Sequence, residues 1–223
     1  MPDHLPWAVL FDMDGVIVAN TDFHVDAWLA FTARHNRPLT LQQYFQHING
    51  RTSADAMAYA FGRPVSGDEL AELTEEKEAI YRDLYAPHLQ PTPGLPEFLD
   101  ALKAANVRLA VGTSAPQSNV GFTLDGLNIR SYFDAVVDAS MISHGKPNPE
   151  IYLTAARRVG VEPAHCVVFE DAFAGIEAGV RAGMNVVAVA TSHTRAELET
   201  TGASLIVDTF ADLTVAQVKT LLS

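Results

Sequence analysis

The chain has 223 residues, enough for one large domain or one domain carrying an insertion, and too few for a multi-module machine. Hydrophobic residues make up 48% and charged residues 19%, which excludes a disordered chain, and a formal net charge of −12 excludes generic nucleic-acid or anionic-membrane binding, both of which need clustered positive charge. A single cysteine, Cys166, excludes an intrachain disulfide.

The first apolar run, Trp7 to Phe11, reads as a strand. The residues before it include Asp3 and form no signal peptide, and nowhere do eighteen apolar residues follow one another, so a cytoplasmic, membrane-free location is expected. Helical patterns come next: Thr21 to His35, with Phe23, Ala27, Ala30 and Phe31 on one face, then Leu41 to His47, Ala54 to Phe61 and Asp68 to Tyr85. Such a stretch of roughly ninety strand-free residues is too long for an ordinary crossover, so it reads as an inserted all-helical cap. Prolines and Gly94 in Gln90–Gly94 mark the return to the core. The domains are expected at 1–18 with 88–223 for the core, and 19–87 for the cap.

From residue 94 onward helices and strands alternate. Helical patterns cover Leu95 to Ala105, Pro116 to Leu127, Pro149 to Val159 and Ala172 to Ala182, the second and third opening with a proline suited to a first helical turn. Between and after them come apolar runs at Val107–Val111, Ala135–Val137, Cys166–Phe169, Val186–Ala190 and Leu205–Val207. Cys166 therefore reads as a buried core residue rather than a reactive thiol. This order predicts an α/β fold, a doubly wound and mainly parallel sheet covered on both faces.

Ligands of such sheets bind beyond the carboxyl ends of the strands. There the sequence places Asp12 and Asp14, then Thr113 and Ser114, then Glu170 and Asp171, with Lys146 opening a further helix. Each alone is adequately read as a turn or cap residue. Four carboxylates converging on one edge, however, repel one another unless a cation lies among them, and all-oxygen ligation suits Mg²⁺. With a lysine, a hydroxyl and helix-terminal amides beside it, such a site accepts a phosphate dianion, and phosphoryl transfer fits because it mainly requires positioning and charge neutralisation.

Phe11–Val16, the Thr113–Ser114 pair, Gly145–Glu150 and Val168–Asp171, in that order and spacing, resemble the four motifs of the haloacid dehalogenase (HAD) superfamily, and the resemblance covers nearly the whole chain. The branch it most resembles is that of the β-phosphoglucomutase-like phosphatases, which implies a Rossmann-like core. It further implies Asp12 as the nucleophile that becomes an aspartyl-phosphate, Asp14 as acid and base with a raised pKa, and Lys146 as the group that neutralises charge and steadies Asp12. Thr113 and the Ser114 amide, with Ala115 beside them, would bind the phosphoryl group. Asp12, the Asp14 carbonyl, Glu170 and Asp171 would hold Mg²⁺. An acid at position 14 excludes the dehalogenase-like and phosphonatase-like branches, leaving esters and anhydrides as substrates.

Smaller signals fall in the cap. Leu70, Leu73, Ile80 and Leu84 share a helix face with Lys77, which reads either as a snorkelling lysine or, by family position, as a substrate-binding one. His24 and Arg51 divide in the same way between packing or solvated charge and substrate contact. Ala19–Asn20 departs from the family, which usually has Asp at position 19. Gly175, Gly179 and Gly183 recur every four residues and read as close helix-to-sheet packing.

Mutase-like members use a cap arginine and a serine and lysine after the second motif. Counted without a gap from Gly50, Ser53 stands at the first position, and Ala115 and Pro116 at the others. The expectation is a monomeric, Mg²⁺-dependent phosphatase for a small phosphorylated metabolite, a sugar phosphate foremost. A β-phosphoglucomutase-type mutase, an inorganic pyrophosphatase and a metabolite-sensing protein on a disused phosphatase fold are the alternatives.

Overall fold

The structure is a computed structural model that describes residues 6–49, 51–211 and 213–222. Asp3 and Gly50, used above, lie outside the described residues. The chain divides into two compact units, Met1–Ala19 with Gln90–Ser223, and Asn20–Leu89.

In chain order the elements are β1 (Ala8–Phe11), α1 (Thr21–Arg34), α2 (Leu41–His47), α3 (Ser53–Phe61), α4 (Gly67–Tyr85), α5 (Leu95–Ala104), β2 (Arg108–Gly112) and α6 (Gln117–Gly126). Then follow β3 (Ala135–Val137), α7 (Glu150–Val159), β4 (Cys166–Glu170), α8 (Phe173–Arg181), β5 (Asn185–Val189), α9 (Arg195–Leu198), β6 (Leu205–Val207) and α10 (Val215–Thr220). The strands form one sheet in the order β3-β2-β1-β4-β5-β6, and every pairing among the described residues is parallel.

Strand side chains alternate between the two faces of the sheet. Ala8 and Leu10 of β1, Ala110 of β2 and Val168 of β4 join Ile151 and Tyr152 of α7 and Ile176 of α8 in one apolar cluster. On the opposite face Phe11 stacks on Phe169 at 5.2 Å between ring centroids, and both rings lie close to Phe210. Phe98 of α5 closes that group at 5.7 Å from Phe169. Because helices cover both faces, the central strands are buried without alternation of polar residues, which is why they read as continuous apolar runs.

Two sequence expectations change in detail. Pro116 and Pro149 precede the first helical turns, as N-caps of α6 and α7, rather than occupying them. The short helices α9 and α10, each opened by a threonine capping box at Thr194 and Thr214, had no counterpart in the sequence reading.

In the helical unit, the buried face of α4 runs through Lys77, Ile80, Tyr81 and Tyr85, whereas Leu84, expected on that face, is 39% exposed. Among the described residues, no helix is long and apolar enough to cross a membrane.

Candidate active site

Asp12 follows β1 directly, and its amide donates to the Phe169 carbonyl at 2.9 Å, so the β1–β4 ladder runs one residue past the strand and fixes where the carboxylate begins. The chain then turns through residues 13–18. The Ile17 amide bonds back to Met13 O at 2.8 Å, and Thr92, on the returning strand of chain, donates its hydroxyl to Val16 O at 2.6 Å. Gly15 sits in this turn at φ 79°, and a Cβ there would fall on the Asp171 carboxylate. Only glycine meets both demands.

Beyond β4 stand Glu170 and Asp171. Glu170 Oε1 accepts from Lys146 Nζ at 2.5 Å and from the Tyr152 hydroxyl at 2.6 Å, while Oε2 accepts from the amides of Asp171 and Ala172 at 3.0 and 3.2 Å. All four of its lone-pair positions are therefore taken, which makes it the fixed counter-charge for Lys146. Lys146 Nζ also lies 2.9 Å from Asp12 Oδ1. Lys146 is thus ion-paired with both carboxylates, and Asp12 Oδ1 is buried with the ammonium as its neighbour.

Oxygens of Asp12, Glu170 and Asp171 lie within 4.8 Å of one another, all three residues being buried. Burial above all pushes the Asp12 carboxyl up to about 7; the negative charges of Glu170 and Asp14 add to this, and Lys146 opposes it. Asp171 is raised well above the usual carboxylate range, first by burial and then by Glu170 and Asp12, with the Ser192 hydroxyl and Lys146 pulling the other way. The Lys146 ammonium is held above its ordinary value by Asp12 and Glu170 despite the opposing effect of burial. A buried, all-oxygen cluster of three carboxylates facing a single lysine fits a hard divalent cation such as Mg²⁺.

Beside them, after β2, Thr113 is buried, and its Oγ1 accepts from the Ala115 amide at 3.1 Å. The Ala115 N–H is thereby used inside the turn, while the Thr113 hydroxyl proton remains to be donated elsewhere. Ser114 is exposed, ahead of the N-terminus of α6. Asp14 is half-buried next to the turn.

In the helical unit the sequence-predicted residues divide. Lys77 does not snorkel: it is 4% exposed, and its Nζ lies 3.0 Å from His24 Nδ1 and 2.9 Å from Glu78 Oε1. His24 stacks flat on Tyr81 at 3.9 Å, and Asn20 donates to the Tyr81 hydroxyl at 2.6 Å. Asn20 thus ties the start of α1 to α4. Arg51 is exposed, directly before the Thr52 N-cap of α3.

Sequence reasoning missed Tyr152 and Ser192. Tyr152 lies inside the helical pattern Pro149 to Val159, where nothing in the spacing marks it. Ser192 follows the β5 run and would have been found by treating that strand's carboxyl end like the others.

The description "haloacid dehalogenase-like hydrolase" matches residues 8–183. The chain belongs to this family. A fructose-1-phosphate phosphatase of Escherichia coli, YqaB, is 34% identical over 183 residues, covering 81% of this chain and 95% of its own length. A β-phosphoglucomutase of Bacillus subtilis is 33% identical over 215 residues, covering 93% and 92%. Among solved structures, a HAD hydrolase of family IA, variant 3, from Entamoeba histolytica superposes with a TM-score of 0.90 at 29% identity, covering 97% of this chain and 99% of that one. Within the HAD hydrolases the chain falls among the β-phosphoglucomutase-like phosphatases, enzymes of phosphoric monoester hydrolysis.

Proposed function

We propose that the protein is a Mg²⁺-dependent phosphatase that hydrolyses a small phosphorylated metabolite, a sugar phosphate foremost, through an aspartyl-phosphate on Asp12. The observation that carries this reading is the Asp12 carboxylate: buried, 2.9 Å from the Lys146 ammonium, and clustered with Glu170 and Asp171. An anionic nucleophile attacking an anionic ester needs such surroundings.

Asp12 attacks phosphorus, and the substrate's alkoxide leaves with a proton from Asp14. Asp14 then takes a proton from water, which attacks the aspartyl-phosphate and releases inorganic phosphate. Thr113 and the Ser114 amide bind phosphoryl oxygens, and Lys146 keeps Asp12 aligned while neutralising charge. Asp12, Asp171 and the Asp14 carbonyl would hold the cation, which would supply electrostatic stabilisation of the phosphoryl oxygens; Glu170, expected as a further ligand, has both oxygens engaged by Lys146, Tyr152 and two amides and would add its charge instead. Recognition of the rest of the substrate falls to His24, Lys77 and Arg51.

Hydrolysis ranks above mutase chemistry because a mutase must hold a second phosphate and exclude water between transfers. Ala115 and Pro116 offer no side-chain donor for that task. The 33% identity to a β-phosphoglucomutase keeps the mutase as the second reading.

The test is inorganic phosphate release over sugar phosphates, nucleotides and pyrophosphate, with Mg²⁺ and with chelator. Release is expected with Mg²⁺ only, and Asp12→Asn is expected to lower it by at least about 10³-fold. Conversion of β-glucose 1-phosphate to glucose 6-phosphate with little free phosphate would put the mutase first.

A further inference from the structure

Three consecutive residues beyond β5 grip both of the motifs that carry the acidic groups. Thr191 donates its hydroxyl to the Gly15 carbonyl, and Ser192 donates to Asp171 Oδ2. His193 Nδ1 lies 3.1 Å from the Asp171 carbonyl oxygen. A carbonyl only accepts, so that ring nitrogen carries the proton. The Phe173 ring lies against the imidazole at 4.2 Å between centroids.

The sheet order explains why this loop can reach two motifs at once. β5 is the neighbour of β4, which ends in Glu170 and Asp171, but it is one strand removed from β1 and Asp12. The turn after β1 spans that gap, since the α-carbon of Gly15 faces the Asp171 carboxylate. The carboxylate is thus enclosed by Gly15 and by the Ser192 hydroxyl, and Thr191 ties the same turn to the same loop.

We infer that Ser192, supported by Thr191, is a positioning residue for the divalent cation, setting the orientation of the Asp171 carboxylate and the seat of the Asp14–Gly15 turn above it. A hydroxyl fixed to one carboxylate oxygen restricts rotation about Cβ–Cγ and leaves the other oxygen as the ligand atom. Outer groups of this kind commonly change metal affinity by about 10- to 100-fold. The inference rests on the cation site proposed above.

Isothermal titration with Mg²⁺, in the absence of substrate, separates the two. Wild-type protein is expected to bind Mg²⁺, and Ser192→Ala to bind it about tenfold or more weakly. Ser192→Thr, which keeps a donor, is expected to stay within about threefold of wild type. Thr191→Val should weaken binding in the same direction and provides a second reading if Ser192→Ala fails to fold. At saturating Mg²⁺ the substrate KM of Ser192→Ala should match wild type, as the altered group does not touch substrate. Wild-type affinity in both Ser192→Ala and Thr191→Val overturns the inference alone, as does a loss in Ser192→Ala that Ser192→Thr does not restore. Absence of Mg²⁺ binding by wild-type protein overturns it together with the proposed cation site.

Discussion

Burial among other carboxylates lifts Asp12 to about 7 from an ordinary value near 3.8, so the metal-free chain holds a proton there at mildly acid pH that a free carboxylate would have lost. The sign of the consequence is fixed by linkage. Between roughly pH 4 and pH 7 the folded chain keeps a proton that the unfolded chain has released, so this group's contribution to stability falls as pH rises through that window. A divalent cation displaces the proton. Stabilisation by Mg²⁺ should therefore grow as pH rises from about 5 to about 8, with an apparent affinity rising roughly tenfold per unit below 7. Melting temperatures with Mg²⁺ and with chelator across that range check it, and a pH-independent difference contradicts it. Asp12, Asp14, Thr113, Glu170 and Asp171 stand out in the sequence as polar residues at the ends of apolar runs, and Lys146 as the residue that opens a further helix. Their hydrogen-bond partners do not. That Glu170 is saturated by Lys146, Tyr152 and two amides, and that Ala115 spends its amide on Thr113, depends on side-chain and turn geometry that spacing does not encode.

Helix α8 illustrates how a regular pattern in sequence can hide unlike causes. Gly175, Gly179 and Gly183 recur every four residues, and two of them pack closely against the sheet but for different reasons: at Gly179 a Cβ would lie 2.7 Å from the apolar Val186 Cγ2. At Gly175 a Cβ would fall on the Glu170 carboxylate, and Gly183, at φ 74°, ends the helix in open space. Gly175→Ala should therefore cost about 2 to 3 kcal/mol in urea unfolding. It should also lower catalysis, because Glu170 cannot yield without releasing Lys146. Activity and stability both within error of wild type would contradict this. The central strands were legible because burial on both faces leaves uninterrupted apolar runs, and the long helices because each shows an apolar stripe. Helices α9 and α10, with four and six residues, are too short to show a period, and are set instead by their capping threonines.

At the scale of the whole molecule, a net charge of −12 leaves attraction of an anionic substrate to local groups, which here means Lys146 set against two carboxylates. The lone cysteine offers a reading of global opening. Cys166 is fully buried in β4, and burial, with Glu162 adding to it, pushes its thiol up to about 12. Its reaction with a disulfide reagent at neutral pH should be at least about 10³-fold slower in native protein than in denaturant, with the ratio tracking unfolding stability. Rapid labelling of native protein would contradict this. The outer strands β3 and β6 are three residues long, and each has a carbonyl already engaged by an arginine: Arg158 donates to Val136 O at 3.4 Å and Arg195 to Ile206 O at 3.0 Å. An extended segment of another chain laid along either border would meet a template too brief and too occupied to hold it, so the sheet resists growth into fibrils without being closed into a barrel.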